Sequence, residues 1–164
     1  MKEIDQSSRV AWIAAGLKED PLAQRVREID AANTQRLHEI VDQVGWPTIT
    51  MVGQDGSDAS WLLVQHADRD RPFQERCLKL MEPLMAVGEV SKKNVAYLTD
   101  RLLVAQKLPQ RYGTQWMQVN GDHEPGPIED PEHLEERRAA AGLETMAQNK
   151  ERMNLTYGSA LTIK

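Results

Sequence analysis

Two apolar stretches decide the fold predicted for this chain: Ala59-Ser-Trp-Leu-Leu-Val-Gln-His-Ala67 and Val95-Ala-Tyr-Leu-Thr-Asp-Arg-Leu-Leu-Val-Ala105. One adjacent polar pair interrupts each of them, Gln65-His66 in the first and Asp100-Arg101 in the second. A helix that is apolar almost all round is normally buried. Because a buried charge or imidazole destabilises a fold unless it is paired and hydrogen-bonded, the sequence predicts a polar network inside the protein.

The rest of the chain shows mainly helical periodicity. Apolar residues recur at helical spacing from Leu22 to Val44, after a start signal at Asp20-Pro21 and before a stop at Gly45-Trp46-Pro47. Further helices are predicted from Ser57 or Asp58 to Ala67, from Arg71 to Gly88, from Ser91 to Pro109, from Asp130-Pro131 to Gly142, and from Leu143 to about Leu155. The segment 45–56 is predicted as a loop with a short extended piece at 48–52.

The period changes from helical to alternating after Pro109. Residues 112–119 read as an extended segment, Asn120-Gly121 suits a tight turn, and 122–127 forms a short return arm. The predicted fold is therefore mainly α: a compact bundle of about five to six helices with one small β-hairpin.

Length and composition limit the class of protein. The chain has 164 residues, of which 40% are hydrophobic and 27% charged, so we expect a single globular domain over 1–164. Residues 1–18 are expected to be an N-terminal extension or a short helix, and 156–164 a frayed tail. The net charge of −5 gives no reason to expect nucleic acid as a partner, and no stretch is apolar for long enough to span a membrane. With no secretory signal and one cysteine, Cys77, a cytoplasmic protein without disulfides is expected.

His66 and Asp100 are the candidate catalytic residues. Imidazole side chains exchange protons near neutral pH, so His66 suits a general base or acid, and Asp100 suits the carboxylate that orients it. The alternative for His66 is a core histidine whose hydrogen bonds are satisfied. The alternative for Asp100, taken alone, is a structural buried ion pair.

The candidate substrate-binding residues are polar side chains expected near those two. Arg101 needs a carboxylate or a bound anion, because its helical neighbour Asp100 diverges from it. Gly113 permits close approach of the backbone around Tyr112. The full set is Gln65, Arg101, Tyr112, Thr114, Gln115 and Arg138. A turn with a polar strand edge, and a solvated face for one of Arg137 and Arg138, are the alternatives.

Familiar catalytic motifs are missing from the sequence. It contains no GxSxG, HExxH, P-loop, GxGxxG or CxxC pattern. His133 and Glu136 have the spacing found in carboxylate-bridged bundles, but no second copy accompanies them. We therefore expect neither a metal nor a cofactor.

A set of short motifs spread over residues 20–143 resembles a family of small bacterial proteins of unknown function. The motifs are Asp30, Asn33-Thr34, Gly45-Trp46-Pro47, Gly53, Gln65-His66-Ala67-Asp68, Phe73-Gln74, Ala96-Tyr97-Leu98-Thr99-Asp100-Arg101, Pro109-Gln110, Tyr112-Gly113-Thr114-Gln115, Pro127-Ile128, Arg137-Arg138 and Gly142-Leu143. The resemblance implies no activity. Its positions include the polar residues selected above.

Two hypotheses for function follow. The first is a cofactor-independent enzyme that uses acid-base chemistry on a small organic or peptide substrate, with His66 moving the proton, Asp100 orienting it, and the binding set holding a carboxylate or carbonyl oxygen. The second is a non-catalytic module for a small molecule or a protein, in which the same residues form a structural polar network. Both expect a small-molecule or peptide ligand, and both are compatible with a homo-oligomer.

Overall fold

A computed structural model describes residues 1–16, 21–119 and 122–157. Contacts divide the chain into two compact units, Met1–Val90 and Ser91–Lys164, and each is described by itself. The single domain expected over 1–164 stays a prediction beside this division. No helix in the described part of the chain combines the length and apolarity needed to cross a membrane.

The described residues of the first unit, 1–16 and 21–90, form four helices. They are α1 (Lys2–Ala14), α2 (Pro21–Val44), α3 (Ile49–Gln65) and α4 (Arg71–Met85). Helix α1 contacts α2 and α3, and α3 contacts α4. Helix α2 buries Val26 and Leu37 of its predicted stripe and also Val41, whereas Val44 at the end of the stripe is exposed. Helix α4 buries Phe73 and Cys77. Burial raises the pKa of the Cys77 thiol to about 12, so this cysteine is a core residue.

Some helix boundaries in this unit agree with those predicted from the sequence. Residues 2–14, expected as an extension or a short helix, form α1. Helix α2 begins at Pro21 and ends at Val44, followed by Gly45 at φ 72°, while the predicted cap Asp20 lies outside the described residues. Helix α4 begins after Asp70, whose side chain accepts a hydrogen bond from the backbone N–H of Phe73.

The predicted loop at 45–56 is wrong over most of its length. Helix α3 already begins at Ile49, because the Thr48 side chain accepts from the backbone N–H of Met51 and caps it. Residues 49–52 of the expected extended piece at 48–52 are therefore helical, while the N-cap Thr48 is extended. Ser57 lies inside the helix instead of capping it. Gly53 at φ 74° breaks the helical path within α3. That break explains why the sequence around it reads as a loop.

In the second unit, residues 91–119 and 122–157 are described, and they combine three α-helices with a β-hairpin. The elements are α5 (Lys92–Ala105), β1 (Trp116–Val119), β2 (Asp122–Pro125), a 3-10 turn (Pro131–His133), α6 (Leu134–Ala140) and α7 (Met146–Tyr157). Its core includes Ala96, Ala141 and Leu143, with Tyr97 and Tyr112 packed against them. The described residues thus contain seven α-helices and one two-stranded antiparallel sheet, which confirms the mainly α fold with a small hairpin.

The hairpin is shorter than the alternating sequence suggests. Strand β1 begins at Trp116, four residues after Tyr112, and pairs with β2 from Trp116↔Pro125 to Val119↔Asp122. The predicted turn at Asn120-Gly121 lies outside the described residues. Residues 158–164 of the expected frayed tail also lie outside them, and 156–157 belong to α7.

Candidate functional site

The predicted site residues fall into both units of the chain. Gln65 and His66 lie at the end of α3 in the first unit. The second unit holds the other six: Asp100, Arg101, Tyr112, Thr114, Gln115 and Arg138.

His66 is hydrogen-bonded to a carboxylate that sequence analysis missed. It is the C-cap residue of α3, and its Nδ1 lies 3.1 Å from both carboxylate oxygens of Asp5 in α1. Asp5 is 1% exposed and the His66 side chain 15% exposed. A neutral imidazole that donates from Nδ1 keeps Nε2 as its acceptor nitrogen, and His66 Nε2 makes no hydrogen bond within the described residues. The carboxylate hydrogen-bonded to His66 in the structure is therefore that of Asp5, whereas the sequence analysis expects Asp100 in this position.

Side chains from two helices complete the surroundings of Asp5. Gln6 donates to Asp5 at 2.7 Å, and Arg9 Nε lies 3.4 Å from its other oxygen. The Arg9 guanidinium also forms an ion pair with Asp30 of α2. Ion pairs thus link Asp30 to Arg9 and Arg9 to Asp5, and a hydrogen bond links Asp5 to His66. The only signal of these links in the sequence is the i,i+4 spacing of Asp5 and Arg9, which is common on solvated helix faces.

The pKa values of the two carboxylates bonded to Arg9 are shifted in opposite directions. Burial acts to raise the pKa of Asp5, but the hydrogen bond and positive charge of His66, with help from Gln6 and Arg9, outweigh it and hold the pKa at about 2. For Asp30, burial prevails over the ion pair with Arg9, and its pKa is raised above the ordinary value. Asp5 is therefore an anion at neutral pH, as an orienting carboxylate must be.

A cavity of about 520 Å³ lies beside His66 in the first unit. Its apolar wall includes Trp12, Ala23, Val26 and Ala31. Its polar lining includes Arg9, Asp30, His38, His66, Arg69 and Asp70. This volume falls in the range of small-molecule sites.

A second histidine and carboxylate pair lines the same cavity. His38 Nε2 lies 2.8 Å from Asp70 Oδ2, and the His38 ring stacks on Phe73 with ring centroids 3.6 Å apart. The stacking and the hydrogen bond fix the plane of the ring. The pair was missed because 32 residues separate its members and no periodic pattern links them.

Three side chains in this region have the chemistry of metal ligands. Asp5, Asp30 and His66 each offer one donor atom, and these atoms lie within 4.8 Å of one another. Arg9 is bonded to both carboxylates, however, and so already supplies the positive charge that a cation would bring. The described residues therefore form an ion-pair network here in preference to a metal centre.

Asp100 organises a loop in the second unit. It is 0% exposed, and it accepts hydrogen bonds from the backbone N–H groups of Arg111 at 2.8 Å, Tyr112 at 3.1 Å and Thr114 at 2.9 Å. The Thr114 hydroxyl donates to it as well, at 3.0 Å. These donors hold segment 111–114 away from strand geometry, and the predicted role of Asp100 at the imidazole stays a prediction.

The same loop accounts for the predicted ligand-binding residues around it. Arg138 is 1% exposed; its Nε donates to the carbonyl of Glu144 at 2.8 Å, and its Nη1 to the carbonyls of Tyr112 and Gly113. The anion predicted for this arginine is thus replaced by backbone oxygens, and burial lowers its pKa. Gly113 has φ 64°, and a Cβ there would lie 3.1 Å from Ile128, so the expected close approach is confirmed.

The remaining predicted residues bond within their own surroundings. Arg101 Nη1 donates to Gln115 Oε1 at 3.2 Å, and Gln115 Nε2 donates to the Thr114 hydroxyl at 3.1 Å. In the first unit, Gln65 is buried beside His66, and its backbone carbonyl accepts from Gln74. Within the second unit the predicted residues thus form a loop network, and within the first unit His66 lies at a cavity.

The chain belongs to a family of unknown function (DUF6624), because the family model matches residues 1–162. This match agrees with the resemblance found in the sequence motifs. No curated protein and no solved structure matches the chain.

Proposed function

We propose that this protein is an enzyme that carries out general acid-base chemistry on a small organic substrate in the cavity beside His66. The observation that carries the proposal is the His66–Asp5 pair at the edge of a cavity of about 520 Å³. His66 is the catalytic residue, and Asp5 is a positioning residue. The assignment keeps the imidazole selected from the sequence and changes its partner.

The pair has the features that proton transfer by histidine needs. The ionised Asp5 carboxylate accepts from Nδ1 of His66, which fixes the tautomer and leaves Nε2 as the base. When Nε2 takes a proton from a substrate, the neighbouring carboxylate stabilises the imidazolium that forms. Burial of Asp5 keeps water from competing for its oxygens.

His38 is suited to deliver a proton to the substrate after His66 has removed one. It uses Nε2 toward Asp70, and its Nδ1 makes no hydrogen bond within the described part of the chain. Two imidazoles on one cavity, each held by a carboxylate, allow one to remove a proton while the other delivers one. This arrangement favours bond cleavage or isomerisation over simple binding.

A turnover screen tests the proposal. The probes are p-nitrophenyl acetate, p-nitrophenyl phosphate, bis(p-nitrophenyl) phosphate and alanine p-nitroanilide, together with a metabolite extract followed by mass spectrometry. We expect His66→Gln to reduce turnover about 100-fold or more while the chain stays folded. His133→Gln is the matched control, because His133 Nδ1 also bonds an aspartate, Asp130, but does so on the exposed surface.

The outcomes separate catalysis from binding. Turnover that falls in His66→Gln and persists in His133→Gln supports the proposal. A wild-type chain that converts no probe and no metabolite contradicts it, as does full activity in His66→Gln. Saturable binding of a metabolite without turnover would favour the non-catalytic binding module.

A further inference from the structure

We infer that the cavity beside His66 binds a small anion, with a carboxylate or phosphate group at Arg69 and an apolar body against Trp12. This inference deepens the proposed function, on which it rests only in placing the ligand in the same cavity. It follows from an account of the charges that line the cavity, and it concerns binding, which is measured without turnover.

The carboxylates of the lining are all engaged. Asp30 is paired with Arg9, and Asp68 lies 3.2 Å from Arg71. Asp70 bonds His38 through one oxygen and the backbone N–H of Phe73 through the other. A cationic ligand would therefore have to displace a partner from each carboxylate that it approached.

Among the positively charged side chains of the lining, Arg69 is not held by a carboxylate in this way. Arg69 lines the cavity, is exposed, and forms no ion pair with any residue in the described ranges. It immediately precedes Asp70, the N-cap of α4, so the partial positive charge of that helix end adds to its own. Arg69 is thus a cation of the lining that no carboxylate in the described ranges pairs, and a guanidinium pairs with a carboxylate or a phosphate through two parallel hydrogen bonds.

The apolar side chains of the lining determine what kind of body the ligand can have. Trp12, Ala23, Val26 and Ala31 present apolar surface to the cavity. Apolar walls with a few polar groups are typical of sites that enclose an organic ligand, and they give a bare inorganic ion little to contact. The lining favours an organic acid or a phosphate ester whose charged group lies at Arg69 and whose apolar body contacts these side chains, in a cavity that His38 and His66 also line.

A pair of matched probes tests the charge requirement. Benzoate and its neutral isostere benzamide are titrated into the full chain, and the NMR shifts of the Trp12 indole and of the His38 and His66 rings report occupancy. We expect benzoate to bind about tenfold more tightly than benzamide, and Arg69→Ala to weaken benzoate binding about tenfold with little effect on benzamide. Phenyl phosphate, in a third titration, tells a phosphate ligand from a carboxylate by its relative affinity.

Arg25→Ala is the matched control for the loss of one positive charge. Arg25 is an exposed arginine of α2 that does not line the cavity. The inference is supported if benzoate affinity falls in Arg69→Ala and not in Arg25→Ala. Equal affinity for benzoate and benzamide, no saturable binding of benzoate, or equal losses in the two arginine variants would overturn it. None of these results depends on catalysis, so a failure here is distinct from a failure of the turnover screen.

Discussion

Asp5 in the first unit and Asp100 in the second are both fully buried, but different groups stabilise the charge of each carboxylate. Asp5 accepts from side chains of His66 and Gln6 and pairs with Arg9 beside a cavity. Asp100 accepts from backbone N–H groups of segment 111–114 and from one hydroxyl. Burial of a carboxylate therefore does not by itself distinguish a functional site from a structural one.

The difference lies in the partners. Backbone amides neither titrate nor move independently of the chain, so a carboxylate bonded to them fixes a loop. An imidazole both titrates and keeps a second nitrogen available for a ligand. A buried aspartate that faces a histidine at a cavity is thus the better candidate for chemistry, and each prediction below tests one side of this comparison.

Removing the charge of Asp100 is expected to have the largest effect on stability. Asp100→Asn turns one acceptor oxygen into a donor that faces the N–H groups of segment 111–114, and we expect a loss of about 3–5 kcal/mol in the free energy of unfolding. Urea denaturation of the full chain measures it. Asp42→Asn, which changes an exposed ion pair with Arg76, is the control and should cost no more than about 0.5 kcal/mol. A loss below about 1 kcal/mol at Asp100 would contradict the structural role.

Arg138→Met tests the loop network by removing a hydrogen-bond donor, whereas Asp100→Asn changes an acceptor. The change leaves the carbonyls of Glu144, Tyr112 and Gly113 without their donor, although it keeps most of the buried volume. We expect a loss of about 2–4 kcal/mol in the free energy of unfolding. Arg36→Met, at an exposed pair with Glu39, serves as control. Equal stability of the two variants would show that the carbonyls find other donors.

Acid should weaken the Asp5 network. Its pKa of about 2 in the folded chain lies below the ordinary value of 3.8, so Asp5 stabilises the fold above pH 3.8, and this stabilisation is lost as the pH falls toward 2. Between pH 4 and pH 2 the wild type should lose about 2 kcal/mol relative to Asp5→Asn. Urea unfolding at both pH values measures the difference. Parallel losses in the two chains would contradict the assigned shift.

His66→Gln should change stability least. Glutamine retains a donor for Asp5, and Gln6 and Arg9 remain in place, so we expect a loss of about 1 kcal/mol. The same urea experiment compares it with Asp100→Asn. A loss as large as that of Asp100→Asn would make His66 a structural residue and would remove the contrast between the two units.

The sequence predicts the helices whose apolar residues recur regularly, and much less of the site. Helices α2, α4 and α5 follow from their apolar residues, and α4 also from its cap Asp70, whereas the start of α3 is hidden by Gly53. Asp100 is correctly predicted as buried, but its donors are backbone groups that leave no side-chain pattern. Asp5 and His66 are 61 residues apart, and only the packing of α1 against α3 brings them together.

The tautomer of the neutral form of His66, read from long-range nitrogen–proton NMR correlations, tests most directly whether Asp5 is the carboxylate that positions this imidazole. The structure predicts a proton on Nδ1 and an unprotonated Nε2 in the wild type and in Asp100→Asn, with loss of that preference in Asp5→Ala. An unchanged tautomer in Asp5→Ala, or a change in Asp100→Asn, would contradict the assignment.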